Sequence, residues 1–424
     1  MKIAGYSALL AVFGIAASAS TSAQGVNVGD RKFKVVVSDT VKVQPATAGP
    51  KAVPTPMVVG RTRIATEPKA AETLVSTRSP STDDRSLSFR EIKSKIAEAK
   101  RQMQTRPIAT SSVGSVFEGI EIVRIAFHDW RSDEIDYAVI TKEAFLSTAE
   151  DKVVTSQNGR NLTIRTIRGN GVNTPITVTD DTGMQHLPLM VQYPVVRNGK
   201  YIETAYYMST HPGLVTTEVV NAGRIYVRNV IEIARERLRS RGILIQPKTA
   251  DIAERLAAVE HVDHLRFRTE PHKAIYDDVY TLFALNEGQT YRYAVSSAGA
   301  GGMVQMIPST YRMVRAQFPQ VPLMPDFVEG MRDHVNAAQA MLLYMQWTWD
   351  DLRSRPAISS AILSGIAKQE QLMAAGYNSN PARLAGYIDR GGPAWTNLIP
   401  RETKIYLQIY ESVERHVPMN ERTR

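Results

Sequence analysis

The residues best placed to do chemistry lie between positions 276 and 310. Tyr276, Val279, Tyr280, Leu282 and Phe283 recur at helical spacing. Glu287 follows Tyr280 by seven residues and Phe283 by four, so a helix continued that far carries its carboxyl on the apolar stripe. Gly288 then reads as the helix stop. Burial and the negative end of the helix dipole both oppose ionisation at such a position. A carboxyl held neutral in this way is a general acid. The simpler alternative is a helix-terminal Glu turned into water. The chain of 424 residues has no cysteine, which removes disulfides, thiolate nucleophiles, iron–sulfur clusters and cysteine-ligated zinc. Catalysis must use oxygen or nitrogen side chains.

Three ordered blocks follow that acid. The first is Ala294-Val295-Ser296-Ser297-Ala298-Gly299-Ala300-Gly301-Gly302-Met303-Val304-Gln305-Met306-Ile307-Pro308-Ser309-Thr310, a Gly-rich turn leading to a Pro-Ser-Thr helix start. The second is Asn336-Ala337-Ala338-Gln339-Ala340, and the third is Ala375-Gly376-Tyr377-Asn378-Ser379-Asn380-Pro381-Ala382-Arg383-Leu384. Together they resemble the catalytic domain of soluble lytic transglycosylases, relatives of goose-type lysozyme, over about residues 270–410. That family has a Glu, a spacer, then Ala-Val-Ser-x-x-Gly-Ala-x-Gly-Leu-Met-Gln-x-Met-Pro-x-Thr, and later Ala-Tyr-Asn-Ala-Gly-Pro-x-Arg-Val. Glu287 precedes Ala294 by seven residues and Gly299 by twelve, which is the family spacing. The chain departs from the pattern at Gly288, where the family usually has Ser, and at Val304, Ile307 and Asn380. Gly288 is the departure that puts rate in doubt.

The resemblance implies that Glu287 protonates the glycosidic oxygen between N-acetylmuramic acid and N-acetylglucosamine in peptidoglycan. The same carboxylate then accepts the proton of the muramyl 6-hydroxyl as that oxygen closes on the anomeric carbon, leaving a 1,6-anhydro sugar. Some glycosidases use the substrate's acetamido group in place of a second protein carboxylate, which suits the absence of another acid between Glu287 and Asp326. Asp277 and Asp278 lie near the start of the same helix and read as capping and surface charges. The resemblance further implies a saccharide groove lined by Ser296, Gln305, Tyr377 and Asn378, with Met303 and Ile307 packed beneath. It implies no cofactor and no metal. A lysozyme-type hydrolase using the same Glu, and a non-catalytic peptidoglycan-binding or assembly protein, are the alternative functions.

Two other signals are weaker. Gly299-Ala300-Gly301 evokes a dinucleotide loop, but the preceding segment reads as helix where that fingerprint needs a strand. His261 and His264 could share a metal only with a third ligand, and their spacing, beside Glu260 and Asp263, suits a surface face as well.

The elements that must position these residues come in two groups, so the expected fold is α+β and multidomain. Ser88 with Glu91 is a capping box, and Phe89, Ile92, Ile96, Ala99 and Met103 make a helical stripe. Short β-branched and aromatic runs follow at 116–127, 135–140, 162–167, 176–178, 189–193 and 201–208, with turns such as Asn158-Gly159 and Asn198-Gly199. Residues 87–212 therefore read as a helix plus a β-rich accessory domain, the surface through which an envelope protein partner would bind. From 213 to 424 the pattern is helical, with helices expected at 219–241, 250–259, 272–286, 308–317, 335–352, 358–375, 381–388 and 402–416. By the resemblance, that region is an all-α lysozyme-like domain.

The N-terminus carries Lys2, an apolar run from Ala8 to Ala17, and small-x-small sites at Ala17-Ser18-Ala19 and Thr21-Ser22-Ala23, the layout of a cleavable signal peptide over residues 1–23. Residues 24–86 hold six prolines among Thr, Ser, Ala and basic residues and read as a disordered linker, with a short strand at Lys34 to Val37. No segment is long and apolar enough for a resident membrane helix. The chain is expected in the periplasm or outside the cell. Lys and Arg number 51 against 42 Asp and Glu, a net charge of +9, which suits an anionic partner. Export points that partner away from nucleic acid and leaves cell wall, membrane surface and extracellular polymers.

Overall fold

The computed structural model describes residues 86–105, 121–197, 199–287 and 299–423. The expected signal peptide, linker and short strand at Lys34 to Val37 lie outside the described residues, as do Gly288 and Ser296.

Helix α1 (Phe89–Thr105) begins at the capping box, with Ser88 N donating to Glu91 Oε2 at 2.8 Å and Glu91 N donating to Ser88 Oγ at 3.3 Å. Among the described residues seven strands form one antiparallel sheet: β1 (Ile122–Asp129), β2 (Glu134–Thr141), β3 (Lys152–Thr155), β4 (Asn161–Thr166), β5 (Ile176–Asp180), β6 (Gln185–Arg197) and β7 (Lys200–Tyr207). The order is β2-β1-β6-β5-β4-β3, and β7 also pairs with β6. A short helix, α2 (Lys142–Leu146), follows β2. The register of β1 on β6 shifts between Ala126 and Phe127, where Phe127 faces Pro188, a residue that cannot donate to a ladder.

The sheet is covered on both faces, which is why β1 reads as a nearly continuous apolar run. Val123, Ile125 and Phe127 join one core cluster, while Ala126, with Leu187, Leu189 and Met190, joins another. Ile92, Ile96, Ala99 and Met103 of α1 close the second cluster. Burying each of the larger three is worth about 1.5–3 kcal/mol. Arg124 of β1 donates through Nη2 to Met103 O at 3.0 Å, satisfying a carbonyl in the last turns of α1.

The remaining elements are helical: α3 (Thr217–Arg239), α4 (Pro247–Val259), α5 (His264–Thr269), α6 (His272–Leu285), α7 (Pro308–Gln317), α8 (Phe327–Arg332), α9 (His334–Ser354), α10 (Pro356–Leu363), α11 (Gln369–Asn378), α12 (Leu384–Gly391) and α13 (Arg401–His416). Gly242, at φ 77°, ends α3, and Ile243 N donates back to Leu238 O at 3.0 Å. The fold is α+β. The larger core cluster runs without a break from β1, β4 and β6 through α3, α4, α6, α9 and α13. The second cluster also crosses the 212/213 boundary, because Val219, Ala284 and Leu285 pack with α1 and the sheet.

Two expected helices differ. The run at 358–375 is two helices, since Gly365 takes φ 72° between α10 and α11. The run at 381–388 opens as a single 3-10 turn, Pro381–Arg383, before α12.

Candidate functional site

Glu287 is not on the buried stripe. Helix α6 ends at Leu285, and Asn286 leaves helical geometry with φ −104° and ψ 31°. Asn286 takes the buried seat instead: its Oδ1 accepts from Met208 N at 3.0 Å and its Nδ2 donates to Met208 O at 2.8 Å. Spacings of four and seven hold only while the helix continues, so the projection from Phe283 and Tyr280 fails two residues early. The Glu287 carboxylate is 49% exposed and pairs with Lys93 Nζ of α1 at 3.0 Å. It is solvated and ion-paired, not desolvated among apolar side chains.

The Gly-rich block is built tightly around a carbonyl-rich turn. Gly299 and Gly302 take φ 75° and 74°, and Gly301 bridges Met306, with Gly301 N donating to Met306 O at 3.3 Å. A Cβ at Gly302 would stand 2.6 Å from Met331 O, so that position needs glycine for both conformation and space. Gln305 takes φ 46°, a left-handed conformation that costs a long side chain strain. Its Nε2 donates to Gly302 O at 3.0 Å. Met303, Val304 and Met306 are buried, and Ile307 is the partly buried N-cap of α7.

Two of the expected groove residues meet at this turn. Tyr377 of α11 donates from Oη to Val304 O at 2.6 Å, so its hydroxyl is committed to the turn. Tyr377 also stacks edge-on with Tyr344, their centroids 5.9 Å apart. Asn378 is directed elsewhere: it is buried, and Thr403 Oγ1 of α13 donates to its Oδ1 at 2.9 Å. The second block contributes support. Asn336 at the start of α9 accepts from Met324 N at 2.9 Å and donates from Nδ2 to Tyr311 Oη and Gly330 O, each at 2.8 Å, fixing the loop behind α7.

Three residues that the sequence did not assign to this site, His261, Glu260 and Tyr406, complete the junction. His261 is 7% exposed, so it does not sit on a surface face, and its Nε2 is 2.9 Å from Met303 O. Burial pushes its imidazole down to about 3. Glu260, the C-cap of α4, accepts at Oε1 from Tyr406 Oη of α13. Desolvation pushes the Glu260 carboxyl up to about 8, against the Tyr406 hydrogen bond, and the nearby Glu402 charge adds to the rise. Burial first and Glu260 second hold the Tyr377 and Tyr406 phenols well above their ordinary range. The upward shift expected of Glu287, a carboxyl desolvated by burial, is found instead at Glu260. The available signal was its position directly after the apolar run Leu256 to Val259.

Asp277 and Asp278 pair with cations: Asp277 with Lys273 at 2.6 Å, and Asp278 with Arg266 at 2.6 Å. In the sheet, His186 lies 3.2 Å from Asp129 and 3.5 Å from Asp180, which also hold Arg160 and Arg131. Asp180 additionally accepts from Thr182 N and Met184 N, closing the β5–β6 turn, so this cluster staples strand ends. Among the described residues no group of three or more His, Asp or Glu is placed to hold a metal ion, and no helix is long and apolar enough to cross a membrane. No protein-family model matches the chain, and no curated protein or solved structure matches it.

Proposed function

We propose that the chain binds peptidoglycan glycan strands and cleaves the N-acetylmuramic acid to N-acetylglucosamine bond as a lytic transglycosylase. In this reading it is exported, the helices from Thr217 to His416 form its lysozyme-like catalytic domain, and the sheet is an accessory domain. The observation that carries the reading is Gln305, a non-glycine residue held left-handed where the Gly-rich block meets Tyr377, since strain of this kind persists where surrounding structure enforces it for a purpose. The sequence blocks supply the acid. For this, Glu287 must leave Lys93 and take up a proton; it gives that proton to the bridging oxygen as the bond to the anomeric carbon breaks, then takes the proton of the muramyl 6-hydroxyl as that oxygen bonds to the same carbon. The carboxyl is regenerated and no water is consumed.

A second reading is favoured by the Lys93–Glu287 ion pair: a glycan-binding or assembly protein whose carboxylate is engaged by α1 and does no chemistry. Mass spectrometry of digested sacculi separates the possibilities. Anhydromuramyl ends support the transglycosylase, reducing ends a lysozyme-type hydrolase, and bound but intact sacculi the binding protein. If the first reading holds, Glu287→Gln lowers release of anhydro products by about 10²–10⁴-fold, the usual contribution of a general acid.

A further inference from the structure

His261 lies upstream of the blocks that carry the family resemblance, yet it reaches into the turn they build. Its ring is edge-on to Phe283 of α6, with centroids 5.8 Å apart and planes at 81°. A carbonyl can only accept, so the 2.9 Å contact to Met303 O places the ring proton on Nε2. The next carbonyl in the chain, Val304 O, accepts from Tyr377 Oη at 2.6 Å. Two successive carbonyls are thus pulled by two side chains from different parts of the helical layer, and the residue that follows is Gln305. Besides Gln305, Asp133 is a non-glycine residue with positive φ, and it sits in the β1–β2 turn, where Asp tolerates that conformation. Gln has no such tolerance, so something must hold it.

We propose that His261 is a positioning residue of the candidate glycan site: by donating to Met303 O it acts with Tyr377 to clamp the turn, keep Gln305 left-handed and fix where its amide meets a sugar. The clamp stands on geometry alone, and only the identity of what Gln305 meets rests on the glycan reading.

A double-mutant cycle tests the clamp without any substrate. His261→Phe keeps a ring against Phe283 and removes the donor, and Gln305→Gly removes the strain. Gln305→Gly is expected to raise the urea midpoint of the otherwise natural chain, and to raise it clearly less in the His261→Phe background. Equal shifts in both backgrounds overturn the proposal. Binding to purified sacculi tests the consequence: His261→Phe weakens it about tenfold, the order of one lost hydrogen bond's effect, and His261→Gln, whose amide nitrogen can stand where Nε2 stood, restores it. Unchanged binding by a folded His261→Phe protein overturns the positioning role. Should that variant not fold, His261→Gln decides alone, with near-natural binding supporting the proposal and a tenfold loss refuting it. If the unaltered chain binds no sacculi, the glycan reading fails while the cycle still judges the clamp.

Discussion

Glu260 and Tyr406 share one hydrogen bond between the end of α4 and the middle of α13, and the carboxyl side of that bond ionises only near pH 8. In the unfolded chain a Glu loses its proton at about 4.3. Below that value both states are protonated and the weakened acidity of the native carboxyl has no effect on stability. As pH climbs, the unfolded state releases the proton while the native state retains it, so stability falls across the window and the loss is complete above about 8. Glu260→Gln keeps a side-chain acceptor for Tyr406 and cannot ionise. Urea denaturation at acidic, neutral and alkaline pH should show a flatter dependence for the variant, with its relative gain appearing at neutral pH and above. An unchanged slope would mean that the carboxyl is ionised in the native protein. Glu260 was hard to read in the sequence because its partners Tyr406 and Glu402 come from α13, and no local spacing brings them together. Glu287 was misread for the opposite reason. The stripe through Phe283 is real, but a single polar residue, Asn286, found tertiary partners at Met208 and ended the helix first.

At the scale of elements, α1 connects the sheet to the candidate acid. Its apolar face is locked into the second core cluster, and Lys93, at the margin of that face, pairs with Glu287. Lys93→Met should leave thermal stability within about 1 kcal/mol, because a half-exposed ion pair contributes little. Under the transglycosylase reading it should change the rate of sacculus cleavage, measured as anhydro product release, whereas an unchanged rate would place Lys93 outside the site. Ile96→Ala, on the buried face, should cost about 2–5 kcal/mol in chemical denaturation. The elements were largely legible. The capping box set the start of α1, periodicity set α3, α6, α7, α9 and α13, and short β-branched and aromatic runs bounded by turns found six of the strands. What stayed hidden was short or glycine-broken: β3 has four residues, α5 and α8 have six each, and Gly365 divides what reads as one helix. Elements this short carry at most two periods of pattern, so packing decides them.

At the scale of the molecule, a buried charge cluster ties α3 and α4 to the C-terminal segment. Arg422, whose side chain is 4% exposed, reaches Asp251 at 2.7 Å and Glu254 at 2.6 Å on α4, and also pairs with Glu232 on α3. Arg228 of α3 holds the same segment by donating to Asn420 O at 3.0 Å. Replacing Arg422 with Ala strands two buried carboxylates, and a loss of about 3–5 kcal/mol in unfolding free energy is expected, recoverable in part at low pH as they protonate. Sequence gave no hint of this, since the pairs span about 170 to 190 positions.

The core cluster that α1 and the sheet share with Val219, Ala284 and Leu285 has a practical outcome for anyone dividing the chain. A fragment starting at residue 213 would leave that patch bare, and it should self-associate on size-exclusion chromatography unless residues 87–212 are supplied separately to cover it. Such rescue in trans would make the first half of the folded region an intramolecular chaperone for the second.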